Sequence, residues 1–188
     1  MSVCSTAWSV SFPVGADAFA MLTYSEILRA IQDCGADYVW IGMNAAGAYG
    51  STVGSQDFDF LVRPKPLHLD KARRVFRALG MHESWSDATS NNLIAAGATD
   101  SFSDPYGGPS VDLMTEISGP DFEEVWSQHK LVEFSGLTIR IASLEHIIAS
   151  KRAANREKDR YALKRLRQDL GREVRESRVA YRAGKKRK

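Results

Sequence analysis

The segment Gln56-Asp57-Phe58-Asp59-Phe60-Leu61-Val62 sets the tightest limit on how this chain folds. Side chains alternate across an extended strand, so Asp57 and Asp59 leave by one face while Phe58 and Phe60 leave by the other. The run Phe58–Val62 is apolar enough to lie centrally in a sheet, and Pro64 and Pro66 halt it. A central strand carrying two aspartates needs compensating charge, because burying an unpaired carboxylate costs several kcal/mol. One face of the sheet is therefore expected to be core and the other a polar site.

Asp112 repeats the pattern. It sits in Val111-Asp112-Leu113-Met114, a strand entered from the turn-rich Asp104-Pro105-Tyr106-Gly107-Gly108-Pro109. If the two strands are neighbours, three carboxylates converge. Same-face residues on a strand lie roughly 7 Å apart, a gap that one or two divalent cations with oxygen ligands can close. A lone Asp-x-Asp is common and weak; a third acid in the same apolar setting turns the balance toward a metal site. Such sites activate an attacking oxygen and stabilise a leaving one in phosphoryl displacement.

Elsewhere the local signals are uneven. Thr23-Tyr24-Ser25-Glu26 has capping-box spacing with Leu22 and Ile27 as a staple, predicting a helix over Tyr24–Cys34 that Gly35 stops. Tyr38–Ile41 reads as a buried strand ended by Gly42, and the Ala-rich Asn44–Tyr49 as a short helix. Leu69, Ala72, Val75, Phe76 and Leu79 recur at helical spacing, closed by Gly80. Between Met81 and Gly108 polar residues dominate, and only Leu93–Ala96 is read as a short strand. Leu131–Phe134 and Leu137–Ile141 form a hairpin around Ser135-Gly136. Ser143 caps a helix reaching about Glu176, with a break near Asn155. The order predicts an α/β (α+β) fold with a mixed sheet backed by helices and a C-terminal helical segment.

Charge divides the chain. Residues 1–150 carry 9 Lys and Arg against 18 Asp and Glu; residues 151–188 carry 16 against 5. A basic end on an acidic body either binds anions or forms a solvated helix. Met1–Ala20 has neither a basic start nor a long apolar run, no stretch approaches a membrane span, and Cys4 and Cys34 lack zinc spacing. A cytoplasmic protein with reduced thiols is the expectation. His68, His82, His129 and His146 lack metal-ligand spacing, and Trp8, Trp40, Trp85 and Trp126 are scattered as packing residues are, with Trp85, in a polar loop, the one exception open to stacking on a base.

Three ordered stretches, YVWIGMNAAGAYGSTVGSQDFDFLV, PSVDLM and LEHIIASKRAANREKDRYALKRL, resemble the nucleotidyltransferase-fold superfamily that includes DNA polymerase β, and within it the AbiEii-like toxin group. The resemblance runs from about Tyr24 to Leu166, with Lys151, Arg156, Lys158 and Asp159 matching the C-terminal helix pattern. It implies Mg2+, one or two ions, held by Asp57, Asp59 and Asp112, with Asp112 also placed to act as general base. It implies a nucleoside triphosphate (NTP) approached by Gly42 and the backbone after it, with Lys151 and Arg156 as phosphate or acceptor contacts, or else basic residues shown to water. Ser51 and Ser55 offer hydroxyls to phosphate or are plain loop residues. The chain departs from the family's Gly-Gly or Gly-Ser with Gly42-Met43, where a bulky side chain stands to obstruct nucleotide, and it lacks the basic residue often found before the Asp-x-Asp strand.

The expected function is metal-dependent transfer of a nucleotide from NTP to an acceptor hydroxyl, with RNA, tRNA included, as a plausible acceptor. By resemblance it includes a toxin role beside a cognate antitoxin. The alternatives are an inactive nucleic-acid or protein-binding module and a small-molecule, aminoglycoside-type nucleotidyltransferase. Four segments are expected: an N-terminal extension over 1–20, the nucleotidyltransferase core over 21–142, a helical segment over 143–176 and a disordered basic tail over 177–188.

Overall fold

The computed structural model describes residues 21–185, and side chains as far as residue 171. Cys4 and Trp8 lie outside the described residues, as does the whole segment 1–20. Helix α1 (Tyr24–Asp33) starts on the expected capping box, in which the Thr23 hydroxyl accepts from the Glu26 amide and the Glu26 carboxylate accepts from the Thr23 amide. Strand β1 (Tyr38–Ile41) is buried throughout. It runs directly into the short helix α2 (Gly42–Gly47), and an irregular loop then leads to β2 (Asp57–Val62). Helix α3 (Pro66–Ala78) carries its proline in the first turn, where no amide is needed for the helix ladder.

The region of weak signal holds β3 (His82–Glu83), α4 (Ser90–Ala96) and β4 (Asp100–Ser103). Leu93–Ala96 is thus helical, correcting the strand expected there. Thr89 caps the helix by accepting from the Asn92 amide, and Gly97 closes it in the left-handed conformation. Only Ser90 and Leu93 of that helix are buried, so its apolar signal was too thin to show a helical period.

Strand β5 (Ser110–Met114) precedes α5 (Phe122–Ser127), which sequence reading passed over although Asp121 and Glu124 form a capping box. The hairpin of β6 (Lys130–Phe134) and β7 (Leu137–Ile141) is as expected. Helix α6 (Leu144–Ala154) is capped by Ser143 and ends at Asn155, whose φ of 48° makes the break before α7 (Glu157–Lys185). Helix α7 continues past the end expected near Glu176.

The seven strands lie in the order β3-β4-β5-β2-β1-β7-β6, with β2–β5 and β1–β7 parallel and the other neighbours antiparallel. The acid-bearing β2 therefore takes the middle place. Behind it, Trp40, Phe58, Phe60, Phe76 and Phe102 form a continuous aromatic series with neighbouring centroids 5.3–6.3 Å apart. Each such buried ring contributes roughly 2 kcal/mol through area removed from water. Beside this core, Arg73 of α3 is 3% exposed and holds the polar β3–β4 region, its Nε 2.7 Å from Glu83 and 2.8 Å from Asp100. No described helix is long and apolar enough to cross a membrane.

Candidate active site

The β2–β5 register puts Asp59 opposite Asp112 and Asp57 opposite Ser110, while β4 sets Ser101 opposite Asp112. Residues paired in register share a sheet face, so all three acids rise from the face opposite Phe58 and Phe60. Ser101 donates its hydroxyl hydrogen to Asp112 Oδ1 at 2.6 Å, and the Ser110 hydroxyl donates to Asp57 Oδ1. Among the described residues, no group of three His, Cys, Asp or Glu side chains is already arranged to hold a metal ion.

Asp59 is where the electrostatic load falls. Burial, then the Asp112 charge, raises its pKa to about 6; Lys151 opposes the shift and Asp57 adds to it. A carboxylate pressed this way toward its neutral form is one that a nearby cation would restore to its charged form. Carboxylate oxygens are also the donors that hard divalent cations prefer, so the residues present fit such an ion.

Gly42 meets Asp59 from the end of β1. Its φ is +78°, and a Cβ there would stand 2.0 Å from Asp59 Oδ2, so both conformation and space demand glycine. Met43, the departure from the family pattern, is 8% exposed, packs into the core and is absent from the cavity wall. Asn44 stitches α2 to the acid strand, donating to the Asp57 carbonyl at 2.8 Å and accepting from the Ser55 amide at 3.3 Å.

A cavity of about 540 Å³ opens beside Gly42 and Asp59, between the sheet, α6 and the start of α7. Lys151 and Arg156 line it, so the structure gathers these two cations, Gly42 and Asp59 around one space. Asp57 and Asp112 adjoin it through Asp59 and are not on its wall. Asp159, its side chain 1% exposed, holds both cations: Oδ1 lies 3.4 Å from Lys151 Nζ and Oδ2 lies 2.6 Å from Arg156 Nε. Burial pushes the Asp159 pKa up, but the Arg156 hydrogen bond and the Lys151 charge outweigh it and leave it lowered.

Ser51 and Ser55 stand off the cavity wall. Ser51 Oγ accepts from the Val53 amide at 3.3 Å and Ser55 Oγ from the Asp57 amide at 3.2 Å, so both hydroxyls shape the loop entering β2. Sequence reading gave no role to Asp159, Ser101, Ser110 or Glu116, which also lines the cavity. Ser110 was within reach, two residues before Asp112 and hence on its face. Glu116 carried no local signal; its fit shows only in three dimensions, where Gly97 leaves room for its carboxylate and a Cβ would come within 2.1 Å of it.

No family model matches the chain, and no curated protein matches it. Similar solved structures include a provisionally assigned nucleotidyltransferase from Thermotoga maritima, 16% identical with a TM-score of 0.49, matched over 83% of this chain and 99% of that one. Another is the antibiotic-resistance factor ANT(2'')-Ia, 18% identical with a TM-score of 0.48, matched over 85% of this chain and 89% of that one.

Proposed function

We propose that this chain is a nucleotidyltransferase that takes a nucleotide from an NTP and joins it to an acceptor hydroxyl, releasing pyrophosphate. The observation that carries the reading is Asp59, in register with Asp112 and set beside Gly42 on the wall of a cavity that Lys151 and Arg156 also line. Asp57, Asp59 and Asp112 would hold Mg2+, one ion or two, which supplies Lewis-acid polarisation of phosphate oxygens when bound.

Lys151 and Arg156 bind phosphate oxygens by charge, and Gly42 keeps the approach to Asp59 clear. Asp112, oriented by Ser101, accepts the proton of the acceptor hydroxyl as its oxygen bonds to the α-phosphorus and the bond to the bridging pyrophosphate oxygen breaks. RNA, tRNA included, is the acceptor we favour, because Arg160, Lys164 and Arg167 are exposed on α7 beside Tyr161, which is 62% exposed. An AbiEii-like toxin role and a cognate antitoxin rest on the sequence resemblance, and a cytoplasmic setting on reading Cys4 and Cys34 as reduced thiols.

The test is magnesium-dependent incorporation of labelled nucleotide, with Asp57→Ala beside the natural chain. Equal signals from the two would discard the enzyme and leave a non-catalytic binding module. Labelling that needs no RNA would point instead to a small-molecule acceptor.

A further inference from the structure

Helix α7 packs through a narrow stripe, Asp159, Ala162, Leu166 and Asp169, all buried at three- and four-residue spacing. Packing alone asks for apolar side chains along such a stripe. Here each end is an aspartate, and a buried carboxylate costs free energy unless it is bonded. The first, Asp159, holds the cavity cations. The second, Asp169, is 7% exposed and reaches the irregular loop ahead of the acid strand, accepting from both the amide and the hydroxyl of Thr52 at 2.9 and 3.0 Å. Arg165 adds a longer bond of 3.4 Å to the Thr52 hydroxyl.

That loop joins Gly42's helix to Asp57. Its other ties include the Ser51 amide to the Ala46 carbonyl, the Ser55 amide to Asn44 and the Tyr24 hydroxyl to the Ser55 carbonyl, and at its start the Tyr49 hydroxyl donates to the Ala142 carbonyl at 2.9 Å. Between Ser51 and Asp57 these ties reach only elements in the first third of the chain. Asp169 is a cross-link from 117 residues away, fixing the middle of a segment that has no helix or strand of its own.

We infer that Asp169 is a positioning residue for nucleotide binding, bracing the loop at Thr52 so that Asp57 enters β2 at a fixed place and carries Asp59 to the cavity wall. The inference rests on the function proposed above. By this design α7 sets two parts of the site from one rigid element: the cations through Asp159 and the loop through Asp169.

The experiment compares the natural full-length chain with Asp169→Ala, with Asp169→Asn, which keeps an acceptor oxygen, and with Thr52→Val, which loses only the hydroxyl. Hydrogen exchange of loop amides 51–57, KM and kcat for labelled NTP, and Tm are read for each, at a temperature well below every Tm. Asp169→Ala should speed exchange in the loop and raise KM about tenfold, with kcat changed less than about twofold, as expected when charge-assisted bonds that organise binding are lost. Asp169→Asn should return both readouts close to natural values, and Thr52→Val should fall between.

Unchanged loop exchange, unchanged KM, or exchange raised evenly over the whole molecule in Asp169→Ala would each overturn the inference. If the natural chain neither binds nor transfers nucleotide, the proposed function fails and takes this role with it. Failure of Asp169 alone is recognised by full activity in the natural chain beside an unaltered Asp169→Ala.

Discussion

Gly42 lies so close to Asp59 that a side-chain carbon on it would come within 2.0 Å of the carboxylate oxygen. Gly42→Ala therefore combines a left-handed backbone, costing about 1–2 kcal/mol for a residue with a Cβ, with displacement of the aspartate. A shift of that carboxylate by about 1 Å is expected to lower kcat/KM on the order of 100-fold, while Tm falls only a few degrees. Steady-state transfer assays and a thermal melt check this together; a Gly42→Ala chain with natural rates would refute it.

Asp59 predicts a pH dependence of definite sign. Its pKa in the fold, about 6, is above the ordinary 3.8, so the protonated form favours folding. The stability this group contributes is full below the ordinary value and is lost as pH rises through the folded one. Asp59→Asn, neutral at all pH, should melt hotter than the natural chain at pH about 8 and level with it at pH about 4. Added magnesium should raise the natural Tm more at the higher pH and leave Asp59→Asn almost unmoved. Equal magnesium shifts in the two chains would remove Asp59 from the ligand set.

Asp159→Ala should be costly. It strips the carboxylate from Lys151, whose side chain is only 16% exposed. Leaving a largely buried charge uncompensated costs about 3 kcal/mol. For a chain of this length that corresponds to a fall in Tm on the order of 10 °C. Because the Asp159 pKa is lowered in the fold, its contribution is present at neutral pH and disappears as pH falls through that depressed pKa. The loss of Tm on mutation should therefore shrink in strong acid, and melts at a series of pH values would show it.

Arg73→Met tests the opposite side of the molecule. It leaves the fully buried Asp100 without its guanidinium and Glu83 with Arg77 alone, and it removes the bonds to the Ser90 hydroxyl and the Trp85 carbonyl. A loss of about 3–5 kcal/mol is expected, measured by denaturant unfolding. Coupling this change with Asp100→Leu should recover part of it, since the orphaned charge goes too. A single variant as stable as the natural chain would mean that other groups anchor the β3–β4 region.

Much of the site could be read from local pattern. Alternation along Asp57–Val62 gave the acid face and the aromatic face, Asp112 announced itself by the same apolar setting, and Asn155 broke the final helix where a gap was expected. Reading failed where burial is slight or the determinants are distant. Leu93–Ala96 looked extended because so little of α4 is buried, and β4 stayed hidden because its Asp100 and Ser101 are polar for tertiary reasons, one meeting Arg73 and the other Asp112. Ser51 and Ser55, read either as hydroxyls offered to phosphate or as plain loop residues, accept from the Val53 and Asp57 amides within the loop.

The amino-acid order by itself determined which residues form strands and helices in most of the chain, and which face of the central strand carries charge, because both depend on periodicity and caps spanning a few residues. Only the tertiary structure decided that Asp59 faces Asp112 across a parallel pair, that Gly42 must lack a side chain, and that Asp159 and Asp169 anchor distant groups. Those relations depend on strand register and helix docking, which join residues up to 117 positions apart. Burial in a common low-dielectric interior then sets how strongly such charges act on one another.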